Sequence, residues 1–401
     1  MKKPQFKKAN SVVFWFLKVI FKPALYLLFR FRFERKTSKG IKRPCLILAN
    51  HQTGLDQFAL AMGFNFGINF VATDTIFRHG LLSKLMVALV RPIPFSKGNS
   101  DLIAVKNMMS VIKNGGSVAM FPSGNRSCYG SESPIVPGIG KLAKKFNAPL
   151  VLVQVRGGYF TKPRWMEKPS RGKMRAGVVR VIQGEELASM SGEEIDKIIQ
   201  QELCINDFDF NRTAQIVFHG KRKAEYLECM LFYCPECNNM KSLCSKGIEF
   251  FCLSCGLRVR INGTGFFEKI NNAEKIPETI HEWSCIQLDY IRNFDFLAFT
   301  DKPVFSDENI SFFKAERAKQ EELLGKGSIE LFADRLVVCG HEFLLSEMTT
   351  SIVGARKMTI YYRGSVYAVI VPFRINLMKY MICGCHLRNK ALGINEEFYG
   401  Y

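Results

Sequence analysis

Between residues 45 and 203 short apolar runs alternate with stretches of helical period, and this alternation restricts the fold more than any other feature of the chain. Residues 45–49, 70–72, 117–121, 150–155 and 177–182 read as strands. Helices are expected over 56–63, 80–90, 100–113, 139–146 and 192–203. The last of these opens with Ser191 and has Glu194 three residues on, a capping box. Strands alternating with helices imply an α/β layer architecture, here a mixed sheet flanked by helices.

That region accounts for under half of 401 residues, a length that calls for about two or three domains. The texture shifts to paired cysteines around 220–262, and 307–325 reads as a charged linker helix. From Gly327 onward come short strands and turns, with a possible strand–turn–strand over 328–338, further strands at 358–362 and 366–371, and an amphipathic stretch at 374–387. The expected organisation is therefore 1–43, basic interfacial helices; 44–215, the α/β domain; 225–265, a metal ribbon; 266–326, a linker with a helix; and 327–401, a small β-rich domain.

Charge narrows the partners. The chain carries 56 Lys and Arg against 36 acids, a net +20, which calls for an anionic partner. Residues 1–43 hold 13 of those cations and one acid, Glu34. They also hold the most apolar stretch, 12–29, interrupted by Lys18, Lys22 and Pro23. A spanning helix needs about 20 mostly apolar residues, so a pair of helices lying in the interface is expected, with Trp15 and Tyr26 near the headgroups. The flanking Lys2, Lys3, Lys7, Lys8, Arg30, Arg32, Arg35 and Lys36 favour an anionic membrane surface at about 1 kcal/mol per charge. Thirteen Cys, an odd number without a regular framework, and no cleavage site after the apolar stretch point to a reducing compartment and a membrane's cytoplasmic face. With 47% apolar and 23% charged residues, the chain is neither disordered nor polytopic.

Two elements carry chemistry, each directly after a strand. Asn50-His51-Gln52-Thr53-Gly54-Leu55-Asp56 sets a histidine at a strand's C-terminal end and an aspartate in the next helix's first turn, at the edge where open α/β sheets bind ligands. The turn can fold Asp56 back onto one imidazole nitrogen and leave the other to take a proton. Phe121-Pro122-Ser123-Gly124-Asn125-Arg126-Ser127 offers a glycine-bearing turn with an arginine, suited to an anion.

Together these elements resemble the lysophosphatidic acid (1-acylglycerol-3-phosphate) acyltransferase family over roughly residues 10–210. His51-x4-Asp56 matches that family's His-x4-Asp. Arg91 to Lys97 lies where its second motif ends in a basic residue, with Lys97 for the usual Arg. Phe121–Ser127 matches its Phe-Pro-Glu-Gly-Thr-Arg-Ser block, and Ala148-Pro149 with the apolar run after it resembles its fourth motif. The resemblance implies a glycerophosphate acyltransferase-like fold and acyl transfer from acyl-CoA or acyl-carrier protein to a lysophospholipid hydroxyl. His51 is then the general base, Asp56 its orienting partner, and Lys97, Ser123, Gly124 and Arg126 the acceptor-binding group, with no cofactor for catalysis. Ser123 stands where the family has Glu, and Asn125 where it has Thr. Those departures leave open a different lyso-lipid acceptor or a catalytically degenerate lipid-binding scaffold. The run from Gly157 to Arg180, with seven basic residues and one acid, could line the path of a phosphorylated donor or form a solvated rim.

Cys234-x2-Cys237 and Cys252-x2-Cys255, 14 residues apart with Gly256 after the second pair, resemble a zinc ribbon holding a structural Zn2+, with Cys244 outside the set. Residues 230–262 hold four basic and two acidic residues, too little charge for a nucleic-acid footprint, so no nucleic-acid partner is expected. The C-terminal block faintly resembles a pleckstrin-homology-like module.

Overall fold

The computed structural model of the chain describes residues 6–73, 87–95, 102–271, 274–315, 321–352 and 354–394. It divides into two compact units, Met1–Pro163 with Ser170–His219, and Arg164–Pro169 with Gly220–Tyr401.

The first unit is built on a seven-stranded mixed sheet of β1 (Arg32–Phe33), β2 (Leu46–Ala49), β3 (Ile68–Thr73), β4 (Ile93–Phe95), β5 (Ser117–Met120), β6 (Leu150–Arg156) and β7 (Arg175–Ile182). The order is β1-β7-β6-β2-β5-β3-β4, and only the β6–β7 pairing is antiparallel. All five expected strands are present, and helices at Asp56–Gly63, Leu102–Lys113, Ile139–Phe146 and Gly192–Leu203 follow the expected ones closely. Of the helix expected over 80–90, only 87–90 falls among the described residues. The Ser191–Glu194 box is formed, the Glu194 amide donating to Ser191 Oγ at 3.1 Å and the Ser191 amide to Glu194 Oε2 at 2.7 Å.

Strand β2 shows how the sheet is covered. Ile47 and Ala49 face one core with Phe14, Leu25 and Phe29 of the N-terminal helix and with Ala59 and Leu60. Leu46 and Leu48 face the other, with Met108, Val111, Ala143 and Ile195. A strand buried on both faces reads as a continuous apolar run.

At the N-terminus, instead of a pair of interfacial helices, one 19-residue helix runs through Pro23 from Ser11 to Phe29, followed by a single turn at Arg35–Ser38. By length and composition it could cross a membrane. Phe14, Leu25 and Phe29 are buried, while Val12, Trp15, Phe16, Val19, Ile20, Tyr26, Leu27 and Leu28 are exposed.

The second unit holds two all-antiparallel sheets. The smaller has the order β11-β10-β9-β8, with β8 (Leu243–Lys246), β9 (Glu249–Cys252), β10 (Arg258–Ile261) and β11 (Phe267–Lys269). Helix Ile280–Arg292 supports it: Trp283 is buried against Phe250 and Phe267, and Gln287 Oε1 accepts the Phe232 amide at 2.7 Å. The larger has the order β15-β14-β13-β12-β18-β17-β16, and helix Leu377–Ala391 follows it in the chain. Its strands are β12 (Phe305–Lys314), β13 (Glu322–Leu331), β14 (Arg335–Val338), β15 (His341–Leu344), β16 (Met348–Ile352), β17 (Lys357–Tyr362) and β18 (Ser365–Ile370).

Among the described residues, the charged helix expected over 307–325 is not present. That segment is occupied by β12 and the start of β13, and the helix of the intervening region is Ile280–Arg292. Two register shifts, at Asp307/Ile310 and Phe312/Phe313, break the two-residue alternation of β12 and hide its strand period. The strands expected nearer the C-terminus, at 358–362 and 366–371, are β17 and β18.

Candidate active site

Strand β2 ends at Ala49, and the next residues turn across the C-terminal edge of the sheet. Asn50 fixes this turn by a two-way pairing with the end of β6: its Nδ2 donates to Val155 O at 2.8 Å and its Oδ1 accepts the Val155 amide at 2.7 Å. His51 follows, with its Nδ1 2.8 Å from Asp56 Oδ2. The same carboxylate oxygen accepts the Gln52 amide at 2.6 Å and the Thr53 amide at 2.8 Å. Asp56 is fully buried, and these bonds hold its Oδ2 in place where water cannot. With the proton on Nδ1 pointing at Asp56, Nε2 is the basic nitrogen.

The segment after β5 meets this turn. Phe121 stacks its ring on the His51 imidazole, centroids 4.0 Å apart and planes 16° from parallel. The Ser127 amide donates to His51 O at 2.7 Å. A Cβ at Gly54 would lie 3.4 Å from an Arg126 guanidinium nitrogen, so Arg126 lies against the loop between His51 and Asp56. Gly124 has φ +69° and its amide donates to Phe121 O at 2.9 Å, a turn that a residue with a Cβ would strain. His51, Asp56, Ser123, Gly124 and Arg126 therefore converge on one sheet edge. Lys97 lies outside the described residues.

The sequence alone did not reveal a buried acidic layer behind the imidazole. Glu132 accepts the His51 amide through Oε1 at 3.1 Å and Oε2 at 3.0 Å, and the Ser123 hydroxyl at 2.5 Å. Gln52 Nε2 reaches its Oε2 at 3.4 Å. Burial pushes the Glu132 carboxyl well above the usual range, the hydrogen bonds from Ser123 and His51 pull it back, and Asp56 and Asp207 raise it again. Asp207, also fully buried, accepts the Gly157 and Tyr159 amides, each at 3.0 Å. Its carboxyl is raised from 3.8 to about 7, chiefly by burial. Glu132 and Asp207 lie 81 and 156 residues from His51, at no spacing a motif would mark. The one available cue was the missing acid at Ser123, with Glu132 nine residues downstream.

The second unit gathers the four ribbon cysteines. Cys234 Sγ lies 3.7 Å from Cys255 Sγ, and Cys237 Sγ 3.7 Å from Cys252 Sγ. All four sulfurs lie within 4.8 Å of one another. Thiolates at about 2.3 Å from a tetrahedral zinc are about 3.8 Å apart, so the spacing fits this ion. Each pair ends in a tight turn, Asn238 at φ +59° and Gly256 at φ +76°, with the Asn238 amide donating to Cys234 O and the Gly256 amide to Cys252 O. Cys244 is not in the cluster.

A half-buried histidine paired with a fully buried aspartate beside an arginine turn, at the C-terminal edge of an α/β sheet, can take a proton from a hydroxyl next to a bound anion. Residues 29–156 match the family model described as acyltransferase. The chain is 30% identical over 140 residues to 1-acyl-sn-glycerol-3-phosphate acyltransferase BAT2, chloroplastic, of Brassica napus, covering 35% of this chain and 39% of that one. It is 29% identical over 141 residues to 1-acyl-sn-glycerol-3-phosphate acyltransferase LPAT1, chloroplastic, of Arabidopsis thaliana, covering 35% and 38%. The chain thus spans under two fifths of the length of these relatives. Among solved structures it is similar to the 1-acyl-sn-glycerophosphate acyltransferase PlsC from Thermotoga maritima, with a TM-score of 0.42 and 19% identity over 50% of this chain and 79% of that one.

Proposed function

We propose that this protein is a membrane-surface acyltransferase of phospholipid synthesis, moving a fatty acyl group from a thioester donor to the hydroxyl of a lysophosphatidate-like acceptor. The observation that carries this reading is the 2.8 Å contact between His51 Nδ1 and a fully buried Asp56. His51 Nε2 takes the acceptor hydroxyl's proton as its oxygen attacks the thioester carbonyl. Asp56 holds the tautomer and stabilises the imidazolium. The carbonyl carbon passes through a tetrahedral adduct, and the carbon–sulfur bond breaks to release the thiol of coenzyme A or of acyl-carrier protein. Arg126 binds the acceptor's phosphate.

Glu132 has the part left open by Ser123. Through the Ser123 hydroxyl and the His51 amide it ties the arginine turn to the histidine turn, and so acts as a positioning residue. The exposed apolar face of helix Ser11–Phe29, flanked by basic residues, lies on an anionic membrane surface on the cytoplasmic side. Cys234, Cys237, Cys252 and Cys255 hold a structural zinc ion. The seven strands followed by a C-terminal helix agree with a pleckstrin-homology-like module.

The test is thiol release by the purified full chain supplied with acyl-CoA or acyl-carrier protein and a panel of lyso-lipids. Positioned acid–base groups contribute about 10²–10⁴ in rate, so His51→Ala should lose at least about 100-fold without leaving the membrane fraction. Equal turnover by the variant removes His51 from the mechanism.

A further inference from the structure

Helix Ser11–Phe29 ends at Arg30, whose left-handed backbone (φ +44°) turns the chain into β1. Strand β1 runs parallel to the start of β7, with Arg32 paired to Arg175. Side chains along both extended segments alternate. Phe31 is buried between exposed Arg30 and Arg32, while Gly172, Met174 and Ala176 are buried between exposed Arg171 and Lys173 and half-buried Arg175. The two cationic rows line one cleft of about 390 Å³, whose remaining walls are Tyr26 and Leu27.

Like charges on neighbouring strands destabilise a sheet unless a counter-charge meets them. Among the described residues, no acidic side chain lines the cleft. The next acid along the chain, Glu34, lines a separate cavity of about 40 Å³ with Arg156 and Arg175. Five cations that converge on a cleft with no acid among its described lining residues make a site for an anion with several oxygens, and guanidinium groups match phosphate bidentately. The rim adds a second requirement. Tyr26 and Leu27 belong to the exposed apolar face of the helix, 50% and 62% exposed, so the ligand has an apolar tail beside its phosphate. The cleft lies at the same sheet edge as His51, two to three strands from β2, or about 10–14 Å at the usual strand spacing. A glycerol phosphate with its hydroxyl at His51 would present its phosphate to Arg126, not to this cleft.

We propose that the cleft formed by Arg30, Arg32, Arg171, Lys173 and Arg175 is a separate phosphate site that takes the headgroup of an anionic membrane phospholipid. It seats the end of the interfacial helix on the bilayer. The phosphates of a coenzyme A donor have the same chemistry, so the test carries both. Binding of dihexanoyl phosphatidylglycerol, below its micelle concentration, and of coenzyme A is titrated calorimetrically into the full chain. The double variant Arg171→Gln/Lys173→Gln is compared with Lys39→Gln/Lys42→Gln, which removes equal charge outside the cleft. Hydrogen bonds to charged groups are strong enough that losing two should weaken lipid binding at least about tenfold, with the control pair unchanged. A loss confined to coenzyme A keeps the phosphate site and assigns it to the donor. Wild-type affinity in the cleft variant, an equal loss in the control pair, or no saturable binding by the wild type overturns the proposal. Binding is read instead of turnover, so failure of acyl transfer would not decide it.

Discussion

The histidine centre and the cysteine cluster both concentrate acidic groups, and they deal with the charge in opposite ways. Around His51 the carboxyls of Asp56, Glu132 and Asp207 lie in the protein interior. The Gln52 and Thr53 amides donate to Asp56 Oδ2, and burial drives Glu132 and Asp207 toward their neutral forms. The polypeptide completes that centre by itself. Four thiolates within 4.8 Å of one another repel unless a cation lies among them, so the proposed zinc ion would complete the second. One centre should therefore answer to protons and the other to metal.

The largest contrast comes from Cys252→Ser. Purified protein should contain about one zinc per chain, and the variant should lose it and become protease-sensitive over 225–265, because a structural zinc contributes its binding free energy to folding. Cys244→Ser should do neither, and turnover at His51 should persist in both. Metal-free wild-type protein, purified gently and reduced, would remove the ion from the account.

A smaller effect is expected at Glu132. Alanine leaves the His51 amide without its acceptor, at about 1–3 kcal/mol for a buried group, while the Ser123 hydroxyl keeps Asn125 O at 3.1 Å; the substitution should lower both the thermal midpoint and the rate. Glutamine resembles the neutral acid and should behave close to wild type. If glutamine proves as damaging as alanine in rate and melting, the carboxyl works as an anion and the picture of a neutral interior fails.

The mildest effect is on pH dependence. A carboxyl whose folded value is raised binds, in the native state, a proton that the unfolded chain has released. Its contribution is present below its unfolded value of about 4 and is lost as pH rises through the folded value of about 7. The first unit should therefore melt at a lower temperature at about pH 8 than at about pH 5, and Asp207→Asn should flatten that slope. An unchanged slope in the variant would assign the dependence to another group.

How far each centre could be read from sequence follows from how it is built. The four cysteine positions are legible because each Cys-x2-Cys turn fixes two sulfurs locally. His51 and Asp56 are legible because one turn carries both. Glu132 comes from a loop and Asp207 from the first turn of helix Asp207–Ala214, both brought in by tertiary packing, and Phe121 supports the imidazole through a sheet neighbour, β5, so no local spacing records them. The same limit affected the fold. Continuous apolar runs revealed the central strands of the first sheet, whereas β12, with its alternation broken by two bulges, read as a helix. The two-residue β1 is too short to show a period at all.

The central claim is acyl transfer, and product analysis tests it most directly. Full-length protein is incubated with acyl-CoA and 1-acylglycerol-3-phosphate, and lipid products and free thiol are measured by mass spectrometry and thiol titration. A diacyl product matched by one thiol released per acyl group transferred is expected, with both lost in His51→Ala. Thiol release without an acylated lipid, or donor binding with no release, would contradict it.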